Sequence, residues 1–220
     1  RQLQANVAAV LEAVTRRHAA TSVYYASKAC SNLWFLGEIR RAGVDIEVNA
    51  GGELHKALRA GFEPGQIIFN GVAKTREEID EAVRRGVHAL MVDSLFELAR
   101  IEEVAAAAGV VARVAPRIDV YVPTLTHPGL ETAHGGKAGI DRDDAVAAFR
   151  RAADSPHLAP VGLHVHIGSQ ITSVDPYRQA VVAALALVDE VEGAAGVKLE
   201  FLDAGGGFAV PYREGPVACH

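Results

Sequence analysis

The 220-residue sequence is poor in several features that would assign a function directly. It has two cysteines, Cys30 and Cys219, and two distant cysteines do not make a disulfide framework. Lysine and arginine total 22 against 27 acidic residues, so the net charge of −5 offers no basic surface for nucleic acid. No apolar run approaches the ~20 residues that a membrane-spanning helix needs. A cytoplasmic protein with neither a nucleic-acid nor a membrane partner is therefore expected.

Short apolar runs alternate with helical segments along most of the chain. Runs such as QIIF and HALMV are nearly continuous in apolar residues, which is typical of parallel strands buried on both faces. The first five strands are predicted to start 21 or 22 residues apart, near Val23, Asp45, Gln66, His88 and Val110. Two further strands are predicted at wider spacing, Val161–Ile167 and Lys198–Leu202.

Start signals mark several of the helices between these strands. Thr75 with Glu78, and Ser94 with Glu97, fit the S/T-x-x-E capping box that satisfies backbone N–H groups at a helix start. The N-terminal segment up to Arg17 is predicted to form an amphipathic helix and not a signal peptide. The other predicted helices are Leu33–Ala42, Glu53–Ala60, Arg76–Arg85, Leu95–Ala108 and Pro176 to about Glu192.

Alternating strands and helices form either a doubly wound sheet or a β/α barrel. The even spacing and the count of about seven strands favour an α/β fold of the (β/α)8 TIM-barrel type over residues 1–220. A complete barrel takes ~250 residues, so the eighth strand is expected to be missing. A seven-stranded barrel would leave an apolar edge exposed, and we therefore expect the chain to be part of a longer polypeptide.

Polar residues collect where the predicted strands end, which is where β/α barrels carry their functional groups. They are Lys28, Glu47, Asn49, Asn70, Lys74, Asp93, Arg117, Asp119, His164, His166, Ser169 and Gly205–Gly207. Ordinary explanations exist, because a lysine after a strand is usually solvated and a glycine triplet is often only a loop. His164 and His166 would share one strand face, but no third ligand stands at recognisable spacing, so no metal is predicted.

Lys28 is the least ordinary of these residues, because apolar residues precede it in SVYYASKACSN and the apolar run Leu33–Phe35 follows. A lysine in apolar surroundings loses its proton more readily and becomes a nucleophile toward carbonyl groups. The triplet Gly205–Gly207 can present backbone N–H groups to a phosphate. A lysine nucleophile, a histidine able to stack and a phosphate cradle are together what a pyridoxal-phosphate site requires.

Seven stretches carry a resemblance to a known family. They are YYASKACSN, NAGGEL, IIFNGVAKT, VDSLFEL, THPGLETAHGGKAGI, GLHVHIGSQI and LDAGGGF. In this order they resemble the fold type III (alanine-racemase-like) PLP-dependent amino-acid decarboxylases, and they are most similar to diaminopimelate decarboxylases. The continuation KACSN after the lysine, in place of the KANAYGHG type of alanine racemases, favours the decarboxylase branch.

The resemblance implies a role for each matching residue. Lys28 would form the internal Schiff base with pyridoxal 5'-phosphate, and His166 would stack on the pyridine ring. The phosphate would be held by Ser169 and by the backbone amides of Gly205, Gly206 and Gly207. The site would also be lined by Glu47, where the family usually has aspartate, and by Arg117.

The implied activity is decarboxylation of a small-molecule amino-acid substrate, meso-diaminopimelate (to L-lysine) or a related diamino acid or amino-acid conjugate. The implied assembly is a homodimer with shared active sites. Ala50, Asn70 and Asp119 depart from the motifs of the family and leave the substrate open. Two alternatives also stay open, a PLP-dependent racemase on the same barrel and a non-catalytic PLP-barrel homologue that binds a partner or buffers the cofactor.

The resemblance further implies parts of the site that lie outside residues 1–220. In the family, the glutamate that pairs with the pyridine nitrogen follows the glycine triplet. The catalytic cysteine belongs to a C-terminal β-domain, and Cys219 is too close to the triplet to be that residue. The β-domain is expected beyond His220, with its first strand before Arg1.

Overall fold

The computed structural model describes residues 1–120, 122 and 138–210. The chain divides into two compact units, Arg1–Leu90 and Met91–His220, called the first and the second unit. Cys219 and residues 126–137, which make up most of the THPGLETAHGGKAGI stretch, lie outside the described residues.

The first unit alternates helices with parallel strands. Its helices are α1 (Gln2–Thr15), α2 (Leu33–Arg41), α3 (Gly51–Arg59) and α4 (Arg76–Arg85). Its strands are β1 (Tyr24–Ala26), β2 (Asp45–Val48), β3 (Ile67–Phe69) and the first half of β4 (Ala89–Val92), which pair in parallel in that order. The side chains of β3 and β4 are buried throughout, as their uninterrupted apolar runs predict for strands covered on both faces.

The second unit continues the alternation with mostly shorter strands. After β4 come α5 (Leu95–Ala108), β5 (Ala112–Pro116), β6 (Ile118–Asp119), β7 (Ile140–Asp141), α6 (Ala145–Asp154), β8 (Leu158–Pro160), β9 (Gly162–His164), α7 (Asp175–Ala195) and β10 (Phe201–Asp203). Parallel pairs join β5 to β8, β6 to β7 and β9 to β10. The predicted parallel α/β architecture is confirmed. No helix among the described residues is long and apolar enough to cross a membrane.

Four elements of the second unit carry weak sequence signals and are not among the predicted ones: α6, β6, β7 and β8. Strand β8 has three residues and ends in Pro160, which has no N–H to donate to a strand ladder. Helix α6 starts after Asp144, whose side chain makes no capping hydrogen bond. The predicted strand Val161–Ile167 is reduced to β9. Each predicted strand therefore has a counterpart in the structure, but the predicted count of about seven strands leaves out the short strands β6, β7 and β8.

Local capping places the starts of α4 and α5 where the sequence predicts them. Thr75 and Glu78 form the full reciprocal box, since each side chain accepts a hydrogen bond from the backbone N–H of the other. The Ser94 hydroxyl accepts from the Glu97 N–H at 3.1 Å. The Glu97 carboxylate accepts instead from the N–H of Asp93, at 2.8 Å. The predicted return hydrogen bond, from the Ser94 N–H to the Glu97 carboxylate, is therefore wrong, because that carboxylate binds the N–H of Asp93, just beyond β4.

Candidate functional site

Lys28 lies directly beyond the carboxyl end of β1, in the single turn Ser27–Ala29. Its Nζ is 3.7 Å from Glu47 Oε1 on the neighbouring strand β2, so the ammonium faces a carboxylate. The Lys28 side chain is 58% exposed, and Trp34 is 70% exposed. The apolar surroundings expected for Lys28 are therefore wrong. The apolar run after the lysine begins helix α2, which Asn32 caps, and the first turn of that helix points to solvent.

A set of hydrogen bonds links the carboxyl ends of β1 and β2. Asn49 Nδ2 donates to Glu47 Oε1 at 3.0 Å. Glu53, in the first turn of α3, accepts at Oε2 from the Ser27 hydroxyl at 2.5 Å and from the Asn49 N–H at 2.9 Å. The sequence analysis missed Glu53 as a site candidate, although its place as the third residue of α3, in NAGGEL, marks it as a glutamate able to reach back toward a strand end.

A second carboxylate holds the loop after β2 against α4. Glu78 Oε1 accepts from the Gly51 N–H at 2.6 Å. A Cβ at Gly71, just beyond β3, would lie 2.1 Å from the Asn49 carbonyl oxygen, so only glycine fits there. Burial acts to raise the pKa of Glu78, but hydrogen bonds from Gly51 and Thr75 outweigh it and the net pKa is lowered. These contacts fix the loop that follows Glu47 in the chain.

In the second unit, the ends of β9 and β10 bring a histidine and an aspartate together. His164 is buried, and its Nδ1 lies 3.1 Å from Oδ2 of Asp203, its partner in the strand register. Asp203 Oδ1 accepts from the Gly205 N–H at 2.8 Å. Burial acts to raise the pKa of Asp203, whereas the charge of His164 and its hydrogen bond lower it. The Gly205 N–H and the charge of His166 also lower it, so the net pKa lies below its ordinary value.

We expect Asp203→Asn to lower the free energy of unfolding at neutral pH and to have a smaller effect in acid. Because the folded-state pKa of Asp203 is depressed, its stabilisation is present above the ordinary value of 3.8 and is lost as the pH falls through the lower folded-state value. Urea unfolding of both proteins between neutral pH and about pH 2.5 measures the difference. Asp189→Asn, at an exposed position of α7, is the control. A difference that grows toward acid would contradict the assignment.

Beyond β10, the glycine triplet runs against the segment that follows β9. Gly205 has φ +72°, and a Cβ there would lie 2.6 Å from the Val165 carbonyl oxygen. Gly207 has φ +94°, and a Cβ there would lie 1.9 Å from the Gly168 carbonyl oxygen. Gly206 has open space around its Cβ position. Two of the three positions therefore require glycine for the close approach of the two segments.

The same loop offers backbone donors. The N–H of Gly205 is engaged by Asp203, whereas within residues 1–120, 122 and 138–210 those of Gly206 and Gly207 donate to no protein acceptor. Ser169 lies against the loop, since its Cα is 3.2 Å from the Cβ position of Gly207. A tight backbone turn whose N–H groups are not bonded within the protein can bind a phosphate. These residues therefore fit the phosphate end of pyridoxal phosphate.

Two further predicted residues lie beside the strand end that carries His164. The His166 ring is half-buried and nearly parallel to the His164 ring, at a centroid distance of 6.5 Å. His166 Nδ1 is 3.0 Å from the Cβ position of Gly205. Arg117 is buried, pairs through its backbone with His164, and places Nη1 3.5 Å from Asp93 Oδ1. The second unit therefore places His166 beside the glycine loop and Arg117 beside His164.

Tyr177, on α7, supports the glycine loop and is a second residue that the sequence analysis missed. Its hydroxyl donates to the Gly206 carbonyl at 3.1 Å. Its ring stacks on that of Phe208, with centroids 4.5 Å apart. No motif in the sequence marks this residue, because the contact depends on how α7 packs beside β10.

Comparison with known proteins gives the family. The family model described as "Pyridoxal-dependent decarboxylase, pyridoxal binding domain" matches residues 2–220. The chain belongs to this family. Pyridoxal phosphate, the cofactor that the resemblance implies, is therefore confirmed as the cofactor of the family.

This pyridoxal-binding domain is similar to diaminopimelate decarboxylases. The enzyme of Pseudomonas aeruginosa is 41% identical over 193 residues, which cover 87% of this chain and 46% of that protein. The crystal structure of the Helicobacter pylori enzyme complexed with L-lysine has a TM-score of 0.84 at 34% identity, covering 89% of this chain and 50% of that one. The M. jannaschii enzyme, also in complex with L-lysine, has a TM-score of 0.86 at 32% identity, covering 98% and 51%.

These likenesses confirm the predicted fold class, the barrel fold of PLP-dependent decarboxylases. The pyridoxal-binding domain spans about half the length of the relatives it matches. The roles of the individual site residues and the division into a barrel and a C-terminal β-domain stay predictions.

Proposed function

We propose that this chain supplies the cofactor-binding part of an amino-acid decarboxylase that acts on meso-diaminopimelate or a related diamino acid. The observation that carries the proposal is the 41% identity to a diaminopimelate decarboxylase over 87% of the chain. Two similar structures hold L-lysine, which is the product expected from meso-diaminopimelate. We also propose a C-terminal β-domain beyond residue 220, a homodimer with shared active sites, and a cytoplasmic location.

In the first unit, Lys28 is proposed to bind the cofactor aldehyde covalently through its amine. The exposed Nζ is accessible to an aldehyde. Glu47, 3.7 Å away, is proposed to orient the ammonium and to accept the proton that it loses before the amine attacks. When bound, pyridoxal phosphate supplies an electron sink that allows a bond to the substrate α-carbon to break.

In the second unit, the backbone N–H groups of Gly206 and Gly207, with Ser169, are proposed to hold the phosphate. The Gly205 N–H already donates to Asp203, so Gly205 shapes the loop and does not add a third free donor. His166 is proposed to lie against the pyridine ring. Arg117, held beside Asp93, is proposed to line the site.

Trapping of the cofactor tests the proposal. The full-length protein is incubated with pyridoxal phosphate, reduced with borohydride and mapped by peptide mass spectrometry, and we expect one pyridoxyl adduct on Lys28. Carbon dioxide release is then measured with meso-diaminopimelate and with related diamino acids. An adduct without carbon dioxide release from any of them would contradict decarboxylation and favour a racemase or a non-catalytic cofactor-binding protein.

We expect His166→Ala to raise the dissociation constant for pyridoxal phosphate about fivefold, because a stacking surface worth about 1 kcal/mol is lost. Titration of the protein with the cofactor, followed by absorbance, measures the change. His157→Ala removes a half-buried histidine of the same unit and should leave the affinity unchanged. Equal affinities of the His166 variant and the wild type would count against a ring-facing position.

A further inference from the structure

Glu53 joins two strand ends through a single carboxylate oxygen. Its Oε2 accepts the Ser27 hydroxyl, just beyond β1, and the Asn49 N–H, just beyond β2. Both bonds involve an ionised acceptor, which makes them stronger than bonds between neutral groups. Ser27 is fully buried, so removal of Glu53 would take away the acceptor of a buried hydroxyl.

These bonds form part of a closed ring that contains Lys28. Ser27 is the chain neighbour of Lys28, whose Nζ lies 3.7 Å from Glu47. Glu47 accepts from the side chain of Asn49, and the backbone of Asn49 returns to Glu53. Glu53 therefore holds Ser27, the residue just before Lys28. It also holds Asn49, which orients the Glu47 carboxylate that faces the Lys28 ammonium.

Part of this arrangement has a parallel at another helix start in the chain. Glu97 holds the same position in the first turn of α5 and also accepts a backbone N–H from the preceding strand end, that of Asp93. Its own N–H donates to the hydroxyl of Ser94, the cap of its own helix. Glu53 also accepts a bond from Ser27, just beyond a second strand, β1, at the residue before Lys28.

We propose that Glu53 is a positioning residue for Lys28, which it sets relative to Glu47 through Ser27 and Asn49. The inference rests on the proposed role of Lys28 as the residue that binds the cofactor. A lysine whose backbone and facing carboxylate are held in place keeps its amine within reach of one site, and loss of such positioning slows reactions at the group concerned.

The rate of cofactor attachment, without any substrate, tests this role. The full-length protein is mixed with pyridoxal phosphate, quenched with borohydride at timed intervals, and the adduct on Lys28 is quantified by peptide mass spectrometry. We expect Glu53→Ala to slow attachment about tenfold, and Glu53→Gln, which keeps an acceptor oxygen, to recover most of the rate. Ser27→Ala should slow attachment about threefold and add little when combined with Glu53→Ala.

Thr75→Ala is the control for a purely structural loss, since it removes a helix cap in the same unit without contacting Ser27 or Asn49. It should lower the melting temperature and leave the attachment rate of the folded protein within about twofold. A Glu53→Ala protein that is folded and attaches cofactor at the wild-type rate overturns the inference. If that variant does not fold, unchanged rates in both Glu53→Gln and Ser27→Ala overturn it. Absence of an adduct on Lys28 in the wild-type protein would overturn the proposed function together with this inference. A wild-type adduct with unchanged variant rates would overturn only the positioning role of Glu53, so the two failures are distinguishable.

Discussion

A Lys28→Ala protein is expected to form no borohydride-stable adduct with pyridoxal phosphate and to lose at least about 1,000-fold in kcat, or about 4 kcal/mol of transition-state stabilisation. The reason is chemical, since alanine has no amine to react with the cofactor aldehyde, and within residues 1–120, 122 and 138–210 no other side chain at the carboxyl end of β1 supplies one. Peptide mapping after reduction and initial rates of carbon dioxide release measure the two effects.

Lys56→Ala is the matched control for this substitution. Lys56 is an exposed lysine of the same unit, and its Nζ donates to the Ser31 hydroxyl at 2.9 Å. Its replacement should leave both the adduct and the rate within about twofold of the wild type, as for most surface substitutions. Turnover of the Lys28→Ala protein within tenfold of the wild type would remove Lys28 from the mechanism.

The second large effect is expected from Gly207→Ala. A Cβ at this position would stand 1.9 Å from the Gly168 carbonyl oxygen, and φ is +94°. The backbone would have to move, which we expect to cost about 2–4 kcal/mol of the free energy of unfolding. Because the displaced loop is the proposed phosphate cradle, the dissociation constant for pyridoxal phosphate should rise about 30-fold. Urea unfolding and cofactor titration measure the two quantities separately.

Gly206→Ala is the control in the next residue. Its Cβ position meets no atom within 4 Å, and alanine keeps the backbone N–H. We expect its free energy of unfolding to stay within about 1 kcal/mol of the wild type. Similar losses of stability in the two variants would show that the close approach of Gly207 to Gly168 does not hold in the protein.

How far the fold follows from the sequence depends on whether the signals are local. Helices α4 and α5 have the predicted bounds, Arg76–Arg85 and Leu95–Ala108, because cap residues and the residues they bond lie within one turn. Strand β8 and helix α6 are missed because the former is stabilised by pairing with β5 and the latter starts without a side-chain cap.

The candidate site shows the same limit. The types and order of the motif residues make Lys28, His166 and the glycine triplet visible in the sequence. The apolar neighbours of Lys28 in the sequence do not predict its exposure. The first turn of α2, which contains those neighbours, points to solvent and leaves the lysine exposed. Glu53 and Tyr177 act through contacts between separate elements, and no short stretch of sequence reports such contacts.

The contrast between Ser27 and Lys28 bears on the timescale on which the amine moves. Ser27 is fully buried and bonded to Glu53, whereas the adjacent lysine side chain is more than half exposed. The main chain is therefore anchored one residue before the amine, and movement of Nζ comes from rotation about the side-chain bonds of Lys28. Rotamer changes of exposed side chains take picoseconds to nanoseconds, whereas loop motions extend to microseconds. The amine of Lys28 can thus change its position by several ångströms within nanoseconds while the strand end that carries it stays fixed.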